Sequence, residues 1–460
     1  MVAIAPSLSK FRLVGAATAG QSERMQHSAD DTSRPPPGRR EVLANRNVRR
    51  FLAGYAATNT GTAMTPVAIA FAVLDRGGDA GDVGIVLMAE AIPLAALLLV
   101  GGVLADRLPR QAVLVGADLV RAVSQFTLAG LLVFGDPSIP TMMALAAILG
   151  AGQAFGAPAF NGVVPEIAPP EHIQPANAMV SVAGAIGEAL GPAIGGLLVA
   201  SVGAGWAVAF DGATYAFSAW CLAGLSMRHV AREHAPGFVK ELREGWDAFR
   251  SRTWIWVVVL QFSVLHLLVL PAFLVVGAVV ADDELGGSRA WGFAMGGFGV
   301  GMVLGGLAMI RLRPQRLLLT GVSALTGFAL PIVALALVAP LPVVVVAALV
   351  AGLTIPVFET AWLTSLQQHV EPEALSRVSA YDWFGSVATL PVGYAIIGPL
   401  SETLGDSGAL WLAAGVWVAA SAVVVAVPSV RHLRATTSRD TSEAPAGEQP
   451  EPPLLPRVVA

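Results

Sequence analysis

Apolar runs of about twenty residues recur from residue 51 to residue 428, and this is the length an α-helix needs to cross a hydrocarbon layer of ~30 Å. The runs cover 51–74, 83–105, 112–134, 140–160, 176–200, 206–227, 254–280, 291–310, 316–338, 341–367, 377–401 and 409–428. Turn-rich or charged stretches divide them, such as Asp75-Arg76-Gly77-Gly78, Gly135-Asp136-Pro137, Ala281-Asp282-Asp283-Glu284 and Gly405-Asp406. Backbone groups in lipid must be bonded within their own segment, and these runs lack the alternation of a porin strand, so they read as helices. Only 13% of residues are charged, against about 25% in a soluble domain. The expectation is an all-α membrane protein of about twelve transmembrane helices.

The ends differ from this middle. Residues 1–45 are polar, basic and rich in Pro and Ser, and 431–460 are similar, so both are expected to stay disordered and cytoplasmic. Phe11–Gly20 is too weakly apolar for a signal-peptide core, and Met25 is a candidate start. Arginine placement sets the orientation. With both termini in the cytoplasm, the inward loops hold Arg107, Arg110, Arg228, Arg232, Lys240, Arg243, Arg250, Arg252, Arg311, Arg313, Arg316 and Arg377, and the outward loops only Arg76 and Arg289. The segment 228–253 divides an N-terminal bundle of six helices (46–227) from a second (254–430). Its stretch Phe238–Phe249 places Phe238, Leu242, Trp246 and Phe249 on one face, as expected of a helix lying along the inner membrane surface.

Two echoes relate the bundles. Gly101-Gly102-Val-Leu-Ala-Asp106-Arg107-Leu-Pro-Arg110 after the second run is matched by Gly305-Gly306-Leu-Ala-Met-Ile310-Arg311-Leu-Arg313-Pro314 after the eighth. Pro170-Glu171 and Ala178 before the fifth run are matched by Pro372-Glu373 and Ala380 before the eleventh. Such echoes predict two homologous halves, a parallel repeat found in transporters.

The loop Gly102-Val-Leu104-Ala105-Asp106-Arg107-Leu-Pro109-Arg110 resembles the signature between helices 2 and 3 of the major facilitator superfamily, with Pro109 and Gln111 departing from its glycine and lysine. An acid among arginines at a helix end can form a charge network that locks one conformation. The resemblance implies a conformational switch built from Gly102, Asp106, Arg107 and Arg110, with Arg377 as the partner of Asp106. The fifth run holds Gly187-Glu188-Ala-Leu-Gly191-Pro192-Ala-Ile-Gly195-Gly196, which resembles the superfamily's antiporter-type motif of exporters. Read from residues alone, Gly187, Gly191 and Gly195 allow close helix packing and Pro192 allows a bend. Gly297, Gly301 and Gly305 form a matching row in the eighth run. Thr65–Ala70, Asp211-Gly-Ala-Thr214-Tyr215 and Leu366–Asp382 are similar to the bacterial branch that includes the enterobactin exporter and macrolide-efflux proteins. The fourth run, Leu149-Gly150-Ala-Gly152-Gln153, lacks the arginine of many drug:proton antiporters.

Intramembrane ionisable groups are candidates for coupling protons or binding substrate. They are Glu188 on the glycine face, Asp118 and Arg121 three apart, Asp382, Glu90, Glu359 and His266. Asp118 and Arg121 are expected to pair, with Arg121–Asp382 as the alternative; His266 reads first as a packing residue. Asp211 is placed near the outer surface. Cys221 stands alone, which excludes a disulfide framework, and no metal or cofactor site is expected. A net charge of −4, well dispersed, gives no sign of a nucleic-acid partner.

These readings converge on a monomeric secondary transporter in the cell membrane, exporting a small organic molecule by alternating access with proton influx. An importer or facilitator of the same fold is the alternative. A membrane transferase would need a polar loop with clustered catalytic groups, and the chain has no phosphate-binding glycine-lysine motif for an ATPase.

Overall fold

A computed structural model describes residues 39–160, 162–227, 238–311 and 314–433, and these residues are nearly all helical. Asn45 opens the first long helix by accepting hydrogen bonds from the backbone N–H groups of Asn47 and Val48 (2.9 and 3.4 Å). The principal helices are α1 (Arg46–Leu74), α2 (Ala80–Arg107), α3 (Arg110–Phe134), α4 (Ile139–Phe160), α5 (Ile173–Val202), α6 (Ala204–Ala223), α7 (Thr253–Glu284), α8 (Ser288–Arg311), α9 (Leu317–Ala336) and α10 (Leu341–His369). A further helix begins at Pro372–Val387, and the segment Leu390–Ala426 turns at Gly405, whose φ of 72° suits glycine. The part before the turn is α11 (372–404) and the part after it α12 (406–426).

Ten described helices are long and apolar enough to cross a membrane, the segment 381–426 counting as one of them. Its turn at Gly405 and the 20-residue α6 account for the two further runs read from the sequence.

Packing repeats between the two halves. Helix α1 lies on α5 and α6, α2 on α4, and α3 on α6; correspondingly α7 lies on α11 and α12, α8 on α10, and α9 on α12. The halves meet through α5 against α8 and α2 against α11, which are equivalent contacts under the same relation. Both seams are built on missing side chains. A Cβ on Gly398 would stand 2.2 Å from the Gly81 Cα, and one on Gly299 would stand 1.8 Å from the Ala189 carbonyl oxygen.

Helix α7 departs from regular geometry. It widens into π-turns at Leu265–Val269 and Ala272–Val276, on either side of Pro271, whose ring supplies no N–H. Neighbouring α11 answers the disturbance: the Thr389 hydroxyl donates to the Ser263 carbonyl (2.8 Å), and Gly393 lies against the carbonyls of His266 and Leu267.

The helix expected along the membrane surface spans Phe238–Arg250. Its apolar face meets protein: Phe249 is buried, and Trp246 and Phe249 pack on Tyr381 of α11 with centroids 5.5 and 5.8 Å apart. The side chains of Phe238 and Leu242 lie outside the described residues.

Candidate functional site

Three helices of the first half enclose a polar core. Helical spacing puts Thr58, Thr62 and Thr65 on one face of α1, Asp118, Arg121 and Gln125 on one face of α3, and Asp211, Thr214 and Ser218 on one face of α6. All of them but Thr62 are buried. Arg121 pairs with Asp118 at 3.2 Å, donates to Thr62 at 2.9 Å, and lies over the Tyr215 ring at 3.8 Å from its centroid. Asp211 accepts from the Thr65 hydroxyl (2.8 Å) and from the Gln125 amide.

Glycines leave room for these groups. Gly61 faces Asp211 and Thr214, and Gly152 of α4 faces the aliphatic stem of Arg121, where a Cβ would stand 2.6 Å from Cγ. Thus α3 delivers a guanidinium against α4, the helix that carries no arginine of its own. Asp211 is 0% exposed and faces the inside of the bundle. Counting along the sixth run gives its depth along the helix, and the structure adds the direction of its face.

The pairing of Arg121 with Asp118 is the one expected within α3, and the alternative partner is engaged elsewhere. Asp382 accepts from the Trp362 indole N–H at 2.9 Å. His266 sits in the π-turn of α7, its Nδ1 2.9 Å from the Phe262 carbonyl. Glu188 of α5 and Glu359 of α10 belong to different halves, are both exposed, and interact electrostatically across the space between them. Glu90 lies on α2 in electrostatic range of Asp211 and Arg121.

The glycines of α5 divide between two neighbours. Gly187, Gly191 and Gly195 face α1 at Asn59, Thr60, Ala63 and Met64, whereas Gly196 meets Gly292 of α8. Pro192 lies within the same helix. The row Gly297, Gly301 and Gly305 faces the carbonyls of Val345, Leu349 and Leu353 on α10, not α5. Gly292, Gly296 and Gly299 make the α5 contact, one helical face away.

Of the charged loop after α2, the side chains of Gly102, Asp106 and Arg107 lie outside the described residues, as does that of Arg377 on α11. Arg110 is described: one nitrogen donates to the Gly162 carbonyl (2.5 Å) and to Glu166 (2.6 Å), tying the start of α3 to the turn after α4. Glu166 was not singled out in the sequence, where it reads as an ordinary loop acid. Among the described residues no group of His, Cys, Asp and Glu could hold a metal ion.

Matched halves that meet along glycine seams, with ionisable groups set inside and between them, define a polytopic membrane transporter. Residues 51–390 match the model of the Major Facilitator Superfamily, and the chain belongs to that family. It is 23% identical over 390 residues to macrolide efflux protein A of Streptococcus pyogenes, covering 83% of this chain and 95% of that one. It is 25% identical over 388 residues to the multidrug efflux pump Tap of Mycobacterium tuberculosis, covering 81% and 91%. These relatives are transporters, not enzymes. The fold is shared with the nucleoside transporter NupG (TM-score 0.65, 14% identity, 83% of this chain and 98% of that one). A bacterial homologue of the iron transporter ferroportin, in an inward-facing state, gives a TM-score of 0.60 at 17% identity, covering 82% and 98%.

Proposed function

We propose that this protein exports a small organic molecule, of the macrolide or multidrug kind that its relatives' names indicate, against its gradient and in exchange for protons. The observation that carries the reading is the geometry of α5. This one helix packs on α1 through Gly187, Gly191 and Gly195, touches the other half through Gly196, and presents Glu188 between the halves. A helix so placed links a proton on its carboxylate to the position of one half against the other. A permanent charge at mid-bilayer costs at least a few kcal/mol unless paired, and proton uptake relieves that cost.

In this reading the units are residues 46–227 and 254–430, joined by 228–253, and they rock about the α5–α8 and α2–α11 seams in a monomer. Both termini face the cytoplasm of a cell-membrane protein, following the arginine bias. Asp106, Arg107 and Arg110, with Arg377 opposite, serve as the inner gate. Gly102 belongs to the same gate motif, and Asp382 on α11 is a further coupling candidate. Glu359 lies within electrostatic range of Glu188 and helps to receive the substrate.

The test is accumulation of radiolabelled erythromycin and of ethidium in inside-out vesicles with an imposed proton gradient. The wild type is expected to accumulate at least one of them, and Glu188→Gln to lose the gradient-driven part while still exchanging preloaded substrate. Normal gradient-driven accumulation by Glu188→Gln would remove Glu188 from the coupling.

A further inference from the structure

The segment that joins the halves leaves a groove against the second one. Its helix, Phe238–Arg250, packs on α11 through Trp246, Phe249 and Tyr381, and the chain then turns and enters α7 at Thr253. Between this helix, α7 and α11 lies a space of about 520 Å³. Gly385 brings α11 onto α7 at its floor, where a Cβ would stand 2.6 Å from Val259 Cγ1. Trp246, Trp256, Leu260 and Phe384 line it and are 36 to 56% exposed, so the protein leaves this carbon surface uncovered. Ser263, the lining residue furthest along α7, already donates to the carbonyls of Val259 and Gly385 (3.0 and 2.8 Å). The deep end therefore needs no polar partner. Every lining residue belongs to the linker helix or the second half, unlike the site of Glu188 and Glu359, which draws on both halves.

Depth and charge indicate the occupant. Thr253–Glu284 is a membrane span by length and composition. From Trp256 to Ser263 the groove follows α7 for about 10 Å, at 1.5 Å per residue. That is roughly two thirds of one leaflet of a ~30 Å hydrocarbon layer, a depth suited to an acyl chain. The shallow end carries Arg250, whose side chain is 66% exposed. Arg243 lies seven residues back on the same helix edge and is also exposed. Arg250 pairs through Nε with Asp247 at 3.2 Å, and an exposed pair of this kind holds weakly. A guanidinium has five N–H donors, so this contact leaves donors for a phosphate. Two arginines against one aspartate make the edge positive, beside tryptophan rings suited to the headgroup level.

We propose that this groove binds an anionic phospholipid, with one acyl chain along Trp256, Leu260 and Phe384 and its phosphate on Arg250. The lipid belongs to the leaflet that the linker helix borders, the inner one in the orientation proposed above. Bound there, it fastens the linker helix to α7 and α11 and covers the carbon surface between them. A zwitterionic lipid offers the same chain but cancels its phosphate charge, so the positive edge favours the anionic one.

Quenching of tryptophan fluorescence by brominated acyl chains reads the groove directly and without any substrate. The full chain is reconstituted in phosphatidylcholine vesicles with a rising fraction of brominated phosphatidylglycerol, or of brominated phosphatidylcholine as the neutral probe. The difference between the wild type and Trp246→Phe/Trp256→Phe isolates the two groove rings among the ten tryptophans. That difference should be quenched at a lower fraction of phosphatidylglycerol than of phosphatidylcholine. Arg250→Gln changes an exposed side chain and keeps both rings. Measured the same way, it should raise the half-quenching fraction of phosphatidylglycerol about fivefold, the worth of one cation near a lipid surface. Arg289→Gln, at an exposed arginine before α8, should leave it unchanged. Equal half-quenching fractions for the two lipids, or no change in Arg250→Gln, overturns the proposal. Absence of quenching by either lipid also overturns it and assigns the groove to a protein segment or a second copy of the chain.

Discussion

The bundle of α1, α3 and α6 and the equivalent bundle of α7, α9 and α12 share one packing plan and fill it oppositely. The first encloses Asp118, Arg121, Gln125 and Asp211 among threonine hydroxyls and the Tyr215 ring. The second is packed with aromatic rings. Phe273 lies 5.3 Å from Trp291 of the neighbouring α8 and 5.5 Å from Phe328, and the polar pairs among the described residues include a Gln261–Ser421 bond of 2.9 Å and a Trp417–Leu325 bond of 3.1 Å. A repeated fold therefore does not imply repeated chemistry.

Removing the base of the polar half is the harshest challenge to this contrast. Arg121→Leu leaves buried acids without their counter-ion, and loss of one partner of a buried pair costs about 3–5 kcal/mol. Thermal unfolding followed by size-exclusion chromatography should show a large fall in stability at neutral pH; a near-normal midpoint would mean that the polar half does not depend on this charge. Gly299→Val attacks the seam instead. Its new side chain overlaps the Ala189 carbonyl of α5, and overpacking costs about 1–3 kcal/mol. Cysteine accessibility at Ala193, measured in a Cys221→Ala background, should rise as α5 and α8 separate. In the apolar half, Gln261→Leu should cost only about 1 kcal/mol, the worth of one hydrogen bond, with transport unchanged.

The smallest effect joins the halves at a helix end. Asp75, just beyond α1, has its carboxyl raised above the usual range, first by partial burial and then by the Asp282 charge, with Arg76 opposing. A raised acid binds its proton more tightly in the folded state. Its contribution is present below the unfolded value and is lost as pH rises through the folded one. Asp75→Asn should flatten this part of the stability profile in the acid range, with little change at low pH.

Much of the architecture was readable because bilayer thickness dictates segment length, so the span positions agree with the helices found. The π-turns of α7 were not, since Pro271 announces a disturbed helix without saying whether it kinks or widens. The Asp118–Arg121 pair was readable from its three-residue spacing. The rest of the network was not, because it joins α1, α3 and α6 across up to 146 positions of sequence. Glycine rows showed that helices approach closely but not which ones: Gly297, Gly301 and Gly305 bind α10, and the face beside them meets α5.

The central claim is that protonation of the first half moves it against the second. Spin labels at Ser226, after α6, and Ser429, after α12, in the Cys221→Ala background report the separation of the halves by pulsed dipolar spectroscopy. The wild type and Gln261→Leu are expected to shift between two distance populations when the pH changes, whereas Glu188→Gln should stay in one population at every pH. A pH-dependent shift that survives unchanged in Glu188→Gln would contradict the account.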